Sequence, residues 1–199
     1  QRALEVYPVL TDYSLYFLGV LNRKDGQPAE ARTYFQRLLS EQADSVWSGR
    51  AALELAKLAL ADRNWSDTTR YAEQARNTKL TPAPVRHEAA LVLAQAQEGQ
   101  GDIGNAYELY QELRRIAARS DVGKTAREHV ERLRQDNPSR FGLRSDNAYL
   151  EELRLLQKEG DEVEVDHLAQ KFNAQFSMSP LRSEVLVLLA GIYKKKGQV

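Results

Sequence analysis

The chain has 199 residues, and its 28 basic and 28 acidic side chains cancel to a formal net charge of zero. That balance argues against nucleic acid as a partner, because such binders carry a basic excess. The absence of cysteine excludes disulfides, thiolate–metal sites and a cysteine nucleophile, and no apolar run approaches the ~20 residues of a membrane span.

Hydrophobic residues make up 42% of the chain, enough for a core, while glycine and proline are sparse. Alanine, leucine, glutamate and arginine dominate, which is an all-helical composition. In chain order, Asp12 is placed to cap a helix running through Leu21. Leu15, Leu18, Gly19 and Asn22 form one track of that helix, with Tyr13, Tyr16 and Val20 beside it. Gly26 marks a turn, and a second helix over 28–40 lines one face with Ala31, Phe35 and Leu38. A linker over 41–45 follows. The next unit, 46–77, pairs a helix holding Ala52, Leu55, Ala56 and Ala59 with one holding Thr68, Ala72 and Ala75, across a turn at Arg63. Thr81-Pro82-Ala83-Pro84 disfavours helix. After it come a helix with Ala90, Leu93, Ala94 and Gln97, a turn at Gly101-Asp102, and a helix over 102–120 with Ala106, Tyr110 and Leu113 on one face.

The pattern then changes. Residues 121–135 read as one further helix facing inward through Val122, Ala126, Val130 and Leu133, and Asp136-Asn137-Pro138 ends it. An irregular connection covers 139–146. Leu150, Leu153 and Leu156 build another first helix, Gly160-Asp161 its turn, and Val165, Leu168, Ala169 and Phe172 its partner. Leu186, Leu189, Ala190 and Tyr193 give a last first helix, ending at Gly197.

The turns at Gly26, Arg63, Gly101, Gly160 and Gly197 are spaced by 37, 38, 59 and 37 residues. The long interval is one period plus a helix and its loop. The expected fold is therefore all-α: a tetratricopeptide-like α-α superhelix, or solenoid, with one inserted helix. Residues 1–120 would hold three helix pairs, and 121–199 the inserted helix with a further repeat and a half, continuous as one superhelical domain. The chain starts at Gln1 without a signal peptide, as a processed or trimmed chain would. Lys194-Lys195-Lys196-Gly197 stops where another turn should begin, so a neighbouring segment is expected.

Catalytic signals are weak. His87, His129 and His167 are far apart and form no His-Glu-x-x-His frame. Gly99, Gly101 and Gly104 spell Gly-x-Gly-x-x-Gly, but after a helix rather than a strand, so the string reads as a turn. Glu151-Glu152, Asp161-Glu162, Glu164 and Asp166 read as a solvated face. Arg154 and Lys158 read as members of local helical pairs. The reading is of a non-enzyme within these residues, with no catalytic residue, no metal site and no cofactor. If the first helices line a concave groove, that groove presents Tyr13, Tyr16, Arg50, Lys57, Glu88 and Gln95, with Val20, Leu53 and Leu91 among them. Tyr16 with Val20, Leu53 with Lys57, and Leu91 with Gln95 supply only part of the basic, amide-rich lining that grips a peptide carboxylate.

Tyr7-Pro8, then Asp12-Tyr13-Ser14-Leu15-Tyr16-Phe17-Leu18-Gly19, Ala29-Glu30-Ala31 and Phe35-x-x-Leu38-Leu39, resemble the N-terminal helical region of the soluble lytic murein transglycosylases. Ala106-Tyr107-x-x-Tyr110-x-x-Leu113 and Leu155-Leu156-x-x-x-Gly160-Asp161 are similar in kind. The resemblance implies a non-catalytic helical scaffold, periplasmic, that positions a catalytic domain lying outside these residues or guides glycan. It carries no catalytic residue onto this chain. Its implied partners are protein, the enzyme's own C-terminal domain, or peptidoglycan. The competing reading is a periplasmic tetratricopeptide adaptor that mediates protein–protein interaction in envelope assembly.

Overall fold

A computed structural model describes residues 10–195. Among them are eleven helices and no strand, an all-α fold of tandem helix pairs. The helices are α1 (Thr11–Lys24), α2 (Pro28–Glu41), α3 (Ser48–Ala61), α4 (Trp65–Asn77), α5 (Ala83–Gly99), α6 (Ile103–Ile116), α7 (Asp121–Asp136), α8 (Pro138–Phe141), α9 (Asp146–Glu159), α10 (Glu162–Gln175) and α11 (Arg182–Lys195). The chain divides into two compact units, Gln1–Leu109 and Tyr110–Val199, so the boundary falls inside α6.

The turns that set the period share one backbone state. Gly26, Gly101 and Gly160 have φ of 74, 86 and 88°, and Arg63 has φ of 57°. This left-handed region suits glycine, and Arg63 occupies it at a site where the other turns carry glycine. The fifth turn, at Gly197, lies outside the described residues, as does Tyr7-Pro8. Gly101 shows that the glycine string is a helix end and a turn.

In the first unit consecutive helices from α1 to α5 pack on one another, and α3 packs on α5 as well as on α4. That contact between alternate helices stacks one hairpin on the next. The expected stripes are buried on α2 (Ala31, Phe35, Leu38), α3 (Ala52, Leu55, Ala56, Ala59) and α4 (Thr68, Ala72, Ala75), whereas on α1 Leu15 and Gly19 are buried and Leu18 and Asn22 half-buried. Gly19 lets α1 approach α2 closely, since a Cβ there would sit 2.5 Å from Phe35 Cε1.

In the second unit α9, α10 and α11 pack on one another around Leu150, Leu153, Leu156, Val165, Leu168, Ala169 and Phe172. α9–α10–α11 repeats the local chemistry of α1–α2–α3. Asp12 Oδ2 accepts from Ser45 Oγ at 2.6 Å, and Ser45 Oγ accepts from Trp47 N–H at 3.0 Å. Asp146 Oδ2 accepts from Ser179 Oγ at 2.7 Å, and Ser179 Oγ accepts from Leu181 N–H at 3.1 Å. Asp12 to Ser45 and Asp146 to Ser179 each span 33 residues, and the turns Gly26 and Gly160 fall in the same register.

Several local expectations are corrected. Asp12 is not an N-cap; it sits in the first turn of α1, where Tyr13 N–H and Ser45 satisfy its carboxylate. Helix begins at Ala83, because Pro84 falls in a first turn that needs no N–H from it. α6 stops at Ile116 rather than 120, because Ser120 caps α7 through Gly123 N–H. The connection after α7 contains the short helix α8. On α11 the buried residues are Val185 and Ile192, with Leu188 and Leu189 partly buried. The expected stripe of Leu186, Ala190 and Tyr193 is one residue out of phase, and Leu186 is 49% exposed. Val185 and Ile192 belong to the core shared with α9 and α10, whereas Leu186 and Ala190 occupy the register of the buried Ala52 and Ala56 of α3.

Candidate functional site

The six groove residues fall into two groups in the first unit, plus one outlier. Tyr13, Tyr16 and Phe17 of α1 close around Trp47, just before α3. Tyr16 stacks on Trp47 with ring centroids 4.8 Å apart, Phe17 meets it edge-on at 5.3 Å and Tyr13 at 5.8 Å. The Arg50 guanidinium lies 5.4 Å from the Trp47 centroid, within cation–π range. Sequence reading missed Trp47 and Phe17. The signal was available: Tyr13, Tyr16 and Phe17 share a helical face, and Trp47 is one of only two tryptophans. Burial first, and then the Glu54 carboxylate, raise the pKa of Tyr16.

The second group joins α3 to α5. Lys57 Nζ lies 3.3 Å from Glu54 Oε1 and 2.8 Å from Glu88 Oε1. Burial works against the charge on Lys57, but its hydrogen bond to Glu88 and the two carboxylate charges prevail, and its pKa is raised. Arg23 Nε approaches Glu54 Oε2 to 2.8 Å, yet its N–H is not aimed at that oxygen, which accepts no hydrogen bond. Lys57 is therefore already neutralised and does not supply the carboxylate grip its position suggested. Arg50 is the cation of this face with no ion-pair partner among the described residues. Gln95 is half-buried on α5, and among the described residues no hydrogen bond ties it to either group.

The second unit holds a polar centre that sequence reading did not find. Arg114, at the end of α6, is fully buried. Its Nη2 and Nη1 donate to Glu152 Oε1 and Oε2 at 2.7 and 3.3 Å. Its Nε and Nη2 donate to Glu159 at 2.7 and 3.2 Å, and its Nη1 to Gln111 Oε1 at 3.1 Å. These contacts use all five donors of a guanidinium. From α7, Arg134 Nη2 donates to Glu152 Oε2 at 2.6 Å, and Arg127 Nη1 to the α10 cap Asp161 at 2.8 Å. The inserted helix is thus fastened by two of its arginines to Glu152 of α9 and to Asp161, the cap of α10.

The carboxylates near Gly160 are accordingly not all a solvated face. Glu152 is 6% exposed. Eight residues before each turn the other first helices carry Leu18, Leu55, Leu93 and Leu189; Glu152 holds that apolar position in α9. A charge at a leucine position was the legible sign of a buried partner. Arg154 makes the expected local pair with Glu151 at 2.6 Å, but Lys158 donates to the Arg115 carbonyl instead.

Desolvation pushes the Glu152 pKa up, but Arg134 and Arg114 outweigh it, and the net value is lowered from 4.5. Asp161 is lowered from 3.8, first by the Glu164 N–H, against desolvation, and further by Arg127. Carboxylates held ionised in this way are poor general acids. Folded values below unfolded ones stabilise the chain above the unfolded pKa and lose that contribution as pH falls through the folded one. The melting temperature should therefore drop below about pH 4.5 and owe nothing to these groups' titration between pH 6 and 8. In Glu152→Gln the drop should be shallower, which thermal unfolding across a pH series measures.

An open cavity of about 610 Å³ adjoins this centre, where Arg119, Lys124 and Arg127 meet Glu159, Asp161 and Glu162. Its lining has three charges of each sign. Arg119 already donates to the Lys158 carbonyl and Arg127 is paired, so the cavity is not tuned to a ligand of one sign. The histidines stay separate in role: His129 stacks on Tyr110 at 4.5 Å, and exposed His167 approaches Glu164. Among the described residues no group of three His, Cys, Asp or Glu could hold a metal ion, and no helix is long and apolar enough to cross a membrane.

No family model matches the chain, and no curated protein matches it. Among solved structures it is similar to a Bacteroides ovatus protein given the provisional description of a protein binding protein. The identity is 18%, over 92% of this chain and 98% of that one, with a TM-score of 0.34. At that level nothing transfers from that protein to this chain.

Proposed function

We propose that this chain is a non-catalytic protein-binding scaffold of helix hairpins, and that its partner docks on the Tyr13–Tyr16–Trp47–Arg50 face. The observation that carries this reading is the half-buried Trp47 with tyrosines around it and, beside it, Arg50, which has no ion-pair partner among the described residues. Partly exposed aromatics with an arginine are the side chains that dominate protein interfaces. The partner chemistry that fits is a peptide segment with a carboxylate beside an apolar side chain, the first for Arg50 and the second for the rings. An arrayed peptide library probed with the chain should select segments sharing that pair. Arg50→Glu and Trp47→Ala should each weaken the selected peptides by about tenfold or more, and Gln95→Ala should leave them unchanged. Absence of any saturable peptide, or indifference to Arg50→Glu, would sink the assignment.

A narrower version makes the chain the helical arm of a periplasmic lytic murein transglycosylase. What supports it is the phrase running from Asp12 to Gly19, with Ala31 and Phe35. On this version intact peptidoglycan sacculi co-sediment with the chain and release no soluble fragments. Fragment release by the chain alone would overturn the non-catalytic reading, and failure to co-sediment would leave the adaptor version standing.

A further inference from the structure

Arg50 and Lys57 stand seven residues apart on one face of α3, two helical turns and roughly 10 Å along its axis. The two cations are in opposite states. Arg50 has no ion-pair partner among the described residues, whereas Lys57 holds the Glu88 carboxylate of α5 at 2.8 Å. We infer that Glu88 is an internal stand-in for a carboxylate of the partner, masking a second anion subsite at Lys57. The partner is then an acidic peptide segment whose two carboxylates are spaced to reach Arg50 and Lys57. This rests on the docking reading of the Tyr13–Tyr16–Trp47–Arg50 face and adds the second half of its ligand.

The local charge count supports it. Arg23 and Lys57 flank Glu54 at 2.8 and 3.3 Å. Two cations against one carboxylate leave one positive charge, and Glu88 is the group that cancels it. The pair is also open to exchange. The side chains of Lys57 and Glu88 are 32 and 42% exposed, and a solvent-exposed pair of this kind is held weakly. Nor does α5 depend on it for its place, since α5 buries Ala89, Ala90, Val92, Leu93, Ala94 and Ala96 and packs directly on α3. Glu88 can therefore swing aside at little cost to the fold, and an incoming carboxylate can take its position.

The spacing describes the ligand. In polyproline II conformation, residues three apart share a face at roughly 9 Å, close to the rise between Arg50 and Lys57. Side chains as long as glutamate, arginine and lysine take up the difference. The leucine beside the first glutamate meets the rings around Trp47.

The probes are two synthetic peptides blocked at both ends, Pro-Leu-Glu-Pro-Pro-Gln and Pro-Leu-Glu-Pro-Pro-Glu, titrated by calorimetry into the full chain. The parent chain should bind both within about twofold of each other, because Glu88 already occupies Lys57. Glu88→Gln should bind the peptide with two glutamates about three- to fivefold tighter than the other. That gain should vanish when Lys57→Gln is added, and shrink in roughly 0.5 M salt. Glu73→Gln, which removes an exposed carboxylate of α4, should not create it. The melting temperature of Glu88→Gln should stay near that of the parent; a large drop would make the pair a structural tie and overturn the inference. Equal binding of the two peptides by Glu88→Gln overturns the masked subsite and leaves the docking face standing. Discrimination already present in the parent chain, or appearing equally in Glu73→Gln, overturns it too, since neither would depend on Glu88. Binding of neither peptide by the parent would overturn the docking reading and this inference with it.

Discussion

Replacing Arg114 with leucine is expected to destabilise the chain by roughly 3–5 kcal/mol, the usual cost of removing one partner from a buried ion cluster. The loss comes less from the attraction removed than from what stays behind. Glu152 and Glu159, with side chains 7 and 6% exposed, would each lose two charge-assisted hydrogen bonds from Arg114. Arg134 would still reach Glu152 and Arg127 would remain near Glu159, so the centre would be injured rather than emptied. Arg114→Lys should recover only part of the loss, because an ammonium is a point donor and cannot span both carboxylates as the guanidinium fork does. Arg114→Leu with Glu152→Leu should be more stable than the single Arg114→Leu change. It restores at 152 the residue type that α1, α3 and α5 carry eight positions before their turns. Chemical denaturation of the four proteins gives the coupling energy, which should exceed about 1 kcal/mol. Strict additivity would mean that the cluster is not one electrostatic unit.

Phe35→Ala should cost about 3–5 kcal/mol, the range for deleting a buried aromatic ring, since Phe35 is fully buried between α1 and its own helix. The more informative change is Gly19→Ala. In an open helix interior it would stabilise by about 1 kcal/mol through propensity alone. Here the added methyl falls 2.5 to 2.8 Å from three carbons of the Phe35 ring. Neither helix can move freely, so overpacking should reverse the sign to a loss of about 1–3 kcal/mol. In a Phe35→Leu background the same alanine should be neutral or stabilising. A melting-temperature cycle over the four combinations reads this directly, and a Gly19→Ala gain with Phe35 intact would mean that the hairpin is loosely packed.

Much of the fold was legible because helix pairs advertise themselves locally. Apolar residues at helical spacing marked the stripes of α2, α3, α4, α9 and α10, and Ala126, Val130 and Leu133 of α7, where Gly123 rather than the expected Val122 is buried. The turns could be counted from glycine because left-handed backbone is costly for other residues. Arg63, the exception, was still found by spacing. The candidate site was legible in part. Tyr13, Tyr16 and Arg50 were named, but the ring that joins them, Trp47, sits in a loop where periodicity gives no signal. Lys57 and Glu88 were named as neighbours on one surface. That they neutralise each other depends on α3 packing against α5.

The sequence by itself determined the number and order of the helix pairs, the place of the inserted helix and the faces that each regular pair buries. Those follow from backbone sterics and from the burial of apolar stripes over a few turns. The tertiary structure decided what depends on partners distant in sequence. It moved Glu152 from an apparent solvated face into the core, because Arg114, 38 residues away, and Arg134 converge on it. It set the phase of α11, because the face turned inward is the one that α9 and α10 cover and not the one a second helix would take. A charge or an apolar residue can be read locally as polar or greasy. Whether it is paired, covered or left open is settled by what packs against it.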